Sequence, residues 1–198
     1  MASSTNFPGD DIARLIPENV RSILEDLKEA PIDHTKWLYA NPIKEIYQGD
    51  VLKKVVVYFM DPDGQVEPIE RPAIVMSHTC DCQLGQSDYV MVAPLFALSE
   101  LTTDEEFTKE DLETFIRDFK ENRLKDKLYL PKVKELPDSW LDFNLVFSIS
   151  TQHFHSNAFS GSRERIISLS QKGHYFFLMR LSFSLGRPDP TDSKRNVS

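Results

Sequence analysis

Cysteine, long apolar runs and basic charge are all scarce in this chain, and each shortage closes off a class of protein. Two cysteines in 198 residues, Cys80 and Cys82, cannot staple a fold. Along an extended strand their Cα atoms lie about 6.5 Å apart, at the far end of disulfide geometry, so reduced thiols are expected. No apolar stretch approaches the roughly 20 residues that cross a bilayer. The opening MASSTNFPGDD has neither the basic start nor the apolar stretch of a secretory signal, so we expect a cytoplasmic protein with no membrane association. Lys and Arg number 23 against 31 Asp and Glu, a formal net charge of −8. That balance removes the general attraction for phosphates on which nucleic-acid binders rely. The local basic groups are Lys53 with Lys54, Arg163 with Arg165, and Arg187 with Lys194 and Arg195, each of which reads first as solvated surface. No internal repeat or low-complexity segment is present, and no cofactor is expected.

What is present is enough apolar material, 40% of residues, to bury a sizeable core in one soluble unit with appendages. IPENVRSILEDLKEAP sets Val20, Ile23, Leu24 and Leu27 on one face between Pro17 and Pro31, which predicts a short amphipathic helix. From Ile43 the period changes to that of strands. IYQGDVLKKVVVYFM, the turn DPDG at 61–64, and the segments near Val66, 73–76 and 89–92 predict an antiparallel meander, curled strongly or closed as a small barrel. FTKEDLETFIRDFKENRLKDK opens with a capping box, Thr108 and Asp111, and lines up Leu112, Phe115, Ile116 and Phe119. YLPKVKELPDSW, interrupted by Pro131 and Pro137, reads as an extended connection, and FNLVFSISTQHF reads as a strand with Leu145, Phe147 and Ile149 facing one way. A C-terminal helix follows, with Ser168 or Ser170 as its N-cap and Gly186 and Pro188 as its stop. The fold class is therefore α+β, antiparallel, with added N-terminal, inserted and C-terminal helices.

The chemistry-bearing residues collect around SHTCD at 77–81. In an extended strand His78, Cys80 and Cys82 share one side, a three-donor face to which His153 or His155 would add a fourth zinc ligand. Buried small thiols are the commoner reading of the cysteines, and a Cys80 nucleophile activated by His78 is recommended by residue type alone. Asp81 either caps the following turn or points into a site facing Arg71. His153 and His155 read as solvent-edge strand positions able to contact phosphate when charged. His174 reads as an interior residue, while Trp37, Tyr39, Trp140 and Phe154 are candidate stacking surfaces for bases or simply core.

GDVL at 49–52, DPDG at 61–64, RPAIVMS at 71–77 and VMVAPL at 90–95 follow in order the pattern of the MazF/PemK-like proteins, which this quarter of the chain resembles. The resemblance implies a small SH3-like β-barrel over 43–150. The residue patterns add a helical insertion at about 104–127, an N-terminal helical segment, 1–42, a C-terminal segment and helix, 151–188, and a polar tail, 189–198. SHTCD and the R-x-x-SLS stretch at 165–170 are similar to a second, uncharacterised bacterial group with a Ser-X-X-Cys-Asp motif. In the toxin family an Arg beside the barrel strand and a hydroxyl after Pro-Leu cleave RNA without metal, and Arg71 matches the arginine. Phe96 and Ala97 stand where the hydroxyl belongs, and neither can transfer a proton. The expectation is accordingly a non-catalytic binding or regulatory module of a toxin–antitoxin or phage-defence system. Its site would be Arg71, His78 and Asp81, joined for binding by His153 and His155, and its partner a protein or single-stranded RNA. A homodimer is expected by analogy alone. The alternatives are a metal-independent endoribonuclease with Arg71, His78 and Asp81 in a rearranged site, and a zinc-stabilised interaction domain.

Overall fold

Period-two alternation over ten residues builds the central hairpin. Strand β2 (Val51–Met60) buries Val55 and Val57 and exposes Val56, Tyr58 and Met60. It pairs with β3 (Val66–Val75) from Val51↔Ile74 to Met60↔Val66, with a register shift between Leu52 and Val55. Gly64, in the predicted turn, takes the positive φ of 81° that favours glycine. The computed structural model describes residues 38–42, 45–60, 63–101, 108–121, 123–124, 126–156 and 165–185, leaving out the side chain of Phe183. The chain divides into two units, Met1–Asp33 and His34–Ser198, and every described residue belongs to the second. The helix expected over 17–31, the stop signals Gly186 and Pro188 and the tail lie outside the described residues.

The remaining strands are β1 (Tyr39–Ala40), β4 (Tyr89–Pro94), β5 (Phe96–Ala97), β6 (Lys127–Leu130), β7 (Ser139–Asp142), β8 (Phe147–Ser150) and β9 (Arg165–Leu169). They form a six-stranded sheet in the order β1-β9-β2-β3-β4-β8 and a three-stranded sheet β5-β7-β6. Every pairing among the described strands is antiparallel. Helices are α1 (Lys109–Lys120), the single turn α2 (Thr151–Phe154) and α3 (Gln171–Leu185). The class is α+β, as expected, but the outer strands β1 and β8 do not pair with each other, so the sheet is open and not a closed barrel. Among the described residues no helix is long and apolar enough to cross a membrane.

Leu52, Val55, Val57, Ala73, Val75, Val90, Val92 and Phe154 form the main core, each fully or almost fully buried. Burying a side chain of this kind contributes roughly 1.5–3 kcal/mol, so this inner face dominates the fold's stability. The expected stripe of α1 covers the second sheet: Phe119 is buried and its ring lies 5.0 Å from that of Trp140. The Thr108 hydroxyl accepts from the Asp111 amide and the Asp111 carboxylate from the Thr108 amide, the capping box read from sequence. Phe96 stacks on Trp140 at 4.9 Å and meets Phe59 at 6.2 Å, so one aromatic row fastens both sheets and α1 together.

Three local expectations are corrected. YLPKVKELPDSW is a hairpin of β6 and β7, not a plain connection: Pro131 and Pro137 sit just outside the paired residues, where no ladder N–H is demanded of them. Lys134, at the turn between Val133 and Leu136, takes a φ of 47°. The strand expected through 154 ends at Ser150, whose hydroxyl accepts from the His153 amide and starts α2. The C-terminal segment holds strand β9 before its helix. Of the two serines proposed as N-cap, Ser170 does the work, accepting from the Gly173 amide at 3.0 Å, while Ser168 lies on β9.

Gly173 has a specific reason to be glycine. A Cβ built there would stand 2.1 Å from the carbonyl oxygen of Leu38, which is backbone and cannot swing aside. Gly173→Ala should therefore lose about 1–3 kcal/mol by overpacking, against the roughly 1 kcal/mol that alanine ordinarily gains within a helix. Thermal or denaturant unfolding of the variant measures the sign.

Candidate functional site

A buried aspartate organises a cluster of polar side chains at the start of β2. Gly49, at a φ of 89°, turns the chain into β2 and places Asp50 1% exposed at its start. The Asp50 carboxylate accepts from the Tyr47 amide at 3.0 Å, from Arg165 Nη1 at 3.0 Å and from the Ser168 hydroxyl at 2.5 Å. Arg165 Nη1 also donates to the Glu45 carbonyl. With its charge met by a guanidinium and its oxygens filled, Asp50 is a structural anchor that a buried lone carboxylate would not be.

Around this anchor lies a cleft of about 410 Å³, lined by Ala40, Asn41, Tyr47, Gln48, Asp50, Thr79, Ser168, Leu169, Ser170, Gln171 and His174. Gln48 holds its walls. Its side-chain amide donates to the Met76 carbonyl at 2.7 Å, its oxygen accepts from His174 Nε2 at 3.1 Å, and its backbone amide donates to the Thr79 hydroxyl at 3.2 Å. That geometry makes Nε2 the protonated nitrogen of His174 and leaves Nδ1 as an acceptor when the ring is neutral. Burial, helped by the nearby His78, pushes the His174 pKa below the ordinary 6.5, so the ring is neutral at neutral pH. The cleft thus presents hydroxyls, amides and a neutral imidazole beside the half-exposed Tyr47, and its one buried carboxylate is already neutralised. It suits a neutral hydrogen-bonding ligand better than a phosphate.

The residues expected from sequence are dispersed. SHTCD is not an extended strand: β3 ends at Val75, and the amides of Asp81, Gln83 and Gln86 donate back to the carbonyls of His78, Cys80 and Gln83 in successive turns. His78, Cys80 and Cys82 therefore share no face. Cys80 is exposed, while Cys82 is buried in the core with its thiol against the Ser77 carbonyl. Burial, with Asp81 next, pushes the Cys82 thiol up to about 12, so it is an inert thiol at neutral pH. Both cysteines are free, and among the described residues no three His, Cys, Asp or Glu side chains gather as a metal site. Asp81 lies exposed in the turns, and His78 is exposed and not among the residues that line the cleft, its Nδ1 accepting from the Cys80 amide at 3.3 Å.

Arg71 is elsewhere, on β3 opposite Val55. It donates to Glu100 at 2.6 Å and lies over the Phe96 ring at 4.6 Å. His153 and His155 are on or beside the short helix α2 and not on a strand. His153 is exposed, and His155 Nε2 donates to the Cys82 carbonyl at 2.7 Å, clamping the turns after β3. The basic candidates are likewise engaged: Lys53 with Glu135, Lys54 with Glu70 and Arg165 with Asp50. Of the stacking candidates, Phe154 is core, Trp140 is stacked on Phe96, and Tyr39 donates its hydroxyl to the Pro131 carbonyl. Arg163, Arg187, Lys194, Arg195 and Trp37 lie outside the described residues.

No protein-family model matches the chain, and no curated protein matches it. Nothing local in the sequence marks Gln48 and Asp50 as site residues, and the aromatic run around His174 has the character of interior. The usable signal was the pair of stretches GD at 49–50 and R-x-x-SLS at 165–170, which the fold brings onto one carboxylate.

Asp50→Asn should cost about 3–5 kcal/mol, because it leaves the Arg165 guanidinium without its counter-charge; chemical denaturation checks this. A group held neutral by the fold contributes stability that is present above its unfolded pKa and fades as pH falls. Stability should therefore drop as pH is lowered from above 6.5 toward the depressed pKa of His174, and His174→Gln should flatten that slope. Denaturation midpoints across this pH range decide it.

Proposed function

We propose that this chain is a non-catalytic binding or regulatory module of the MazF/PemK-like type, serving a bacterial toxin–antitoxin or phage-defence system, with the Gln48–His174 cleft as its recognition site. The observation that carries the non-catalytic reading is the state of Arg71. Its guanidinium is paired with Glu100 and laid over Phe96, the side chain that occupies the place of the toxins' hydroxyl. An arginine engaged by a carboxylate and an aromatic face has little left to offer a phosphorane-like transition state. The strongly curled, SH3-like character of the sheet is part of the same proposal. It is supported by GDVL opening β2, RPAIVMS closing β3 and VMVAPL forming β4, in order and hydrogen-bonded side by side. The partner is a protein or single-stranded RNA that presents neutral hydrogen-bonding groups to the cleft.

One feature favours a second reading, an endoribonuclease with a rearranged site: His174, neutral at neutral pH beside His78, has the protonation state of a general base. A single assay separates the two. Incubated with a mixed single-stranded RNA pool, the wild-type protein, Arg71→Ala and His174→Ala should all leave the RNA intact. Cleavage by the wild type that either variant loses would replace the binding module with the nuclease.

A further inference from the structure

Among the described residues, the large sheet leaves two strand edges, on β2 and on β8, on either side of one groove. The Leu95 amide donates to the Pro72 carbonyl, so every second residue of β3 from Pro72 turns its backbone groups away from β2; Pro68, opposite Tyr58 and without an N–H, is one of them, and Tyr58↔Pro68 is a non-hydrogen-bonded pair. By alternation, the same holds for Val56↔Glu70 and Met60↔Val66. The backbone N–H and C=O groups of Val56, Tyr58 and Met60 therefore point away from β3. On the other side, the Thr151 amide donates to the Asp88 carbonyl, and counting back in twos makes Ser148↔Met91 a non-hydrogen-bonded pair as well. The Ser148 backbone groups thus point away from β4. Among the described residues, strand β9 pairs with β2 at Val51 and Leu52 and no other strand pairs on that side of β2.

Between these two edges runs a groove of about 310 Å³, whose lining includes Val56, Tyr58, Phe147, Ser148, Ile149 and His153. Its floor is apolar, with the rings of Phe59 and Phe147 meeting edge to face at 5.3 Å. Tyr58 is 60% and Met60 71% exposed on the flank, in the manner of apolar surface kept for a partner. No carboxylate, Lys or Arg is among the lining residues, whereas Asp63 and Glu67 stand exposed toward the Met60 end and the chain as a whole carries −8.

We propose that this groove receives an extended peptide segment of a partner protein by strand addition, its backbone bonding to Val56, Tyr58 and Met60 on one wall and to Ser148 on the other. Main-chain bonding fixes an extended occupant, the apolar floor selects uncharged side chains at alternate positions, and Asp63 and Glu67 select a Lys or Arg flank at the Met60 end. Because β2 and β8 run in opposite directions, the added strand is antiparallel to one wall and parallel to the other. The inference rests on the binding-module reading for the choice of a protein partner, and it names that partner's chemistry.

The probe is a synthetic peptide of about ten residues, alternating Val and Thr between paired lysines. With it, hydrogen exchange should slow at the amides of Val56, Tyr58, Met60 and Ser148. The same peptide N-methylated at alternate residues should bind at least about fivefold more weakly, the loss expected from one backbone hydrogen bond. Tyr58→Pro removes an edge donor that β3 does not use, so the variant should stay folded by circular dichroism and lose peptide affinity by a similar factor. Those four amides already protected in the free protein, affinity indifferent to N-methylation and to Tyr58→Pro, or protection of the same amides by single-stranded RNA instead would each overturn the assignment. RNA cleavage would overturn the binding-module reading, whereas inert RNA with no peptide bound would remove the groove alone.

Discussion

The Asp50 carboxylate is the constraint on which the rest of the second unit depends. It stops the 47–50 turn by holding the Tyr47 amide, starts β2, and draws Arg165 and Ser168 of β9 onto the same two oxygens. The cleft exists because these bonds bring the 47–50 turn, the turns after β3 and the first turn of α3 within reach of one another, and Gln48 then joins the last two through Met76 and His174. A neutral side chain of the same shape would keep some of these hydrogen bonds but would leave the guanidinium uncompensated in a partly buried place.

A second dependency runs through Arg71. Resemblance made this residue a catalytic candidate, and the packing around it gives it another use. Its guanidinium covers Phe96, Phe96 stacks on Trp140, and Trp140 meets Phe119 of α1, so a cation begins a row of rings that fastens the two sheets. The phenylalanine at position 96 and the placement of the arginine are thus one arrangement: a hydroxyl-bearing residue there would take the ring from beneath the guanidinium, leaving Glu100 as its partner, and would break the row. Lys127, 5.9 Å from the centre of the Trp140 ring in the middle of the row, repeats the pairing of cation and ring.

What was legible in the sequence follows from how local each signal is. The β2–β3–β4 meander shows itself in Val55, Val57, Val90 and Val92 at period two, and α1 in its capping box and apolar stripe, because both patterns are complete within a dozen residues. The β6–β7 hairpin was hidden by Pro131 and Pro137, which resemble breakers until their places outside the paired residues are known. Helix α2 was missed because a single turn is too short to display a 3.6-residue period, so His153 and His155 were placed on a strand. SHTCD looks extended in sequence because the apolar run before it is extended, and nothing at one-residue range marks where the turns begin. The Asp50 cluster was beyond local reading altogether: its members lie 3, 115 and 118 positions from the aspartate.

That last separation has a bearing on how the protein comes into being. A ribosome adding amino acids at its usual pace finishes Asp50 roughly ten seconds before Ser168 exists. During that interval the residues of β2 and β3 are already made, yet the aspartate has no guanidinium and β2 has no β9 beside it. The nascent chain therefore emerges with a desolvation-averse charge at the head of its central strand, which keeps that end open to water until its distant partners arrive. Completion of the fold is deferred to the last stretch of synthesis, and the same long-range closure makes this a slow-folding topology for its size.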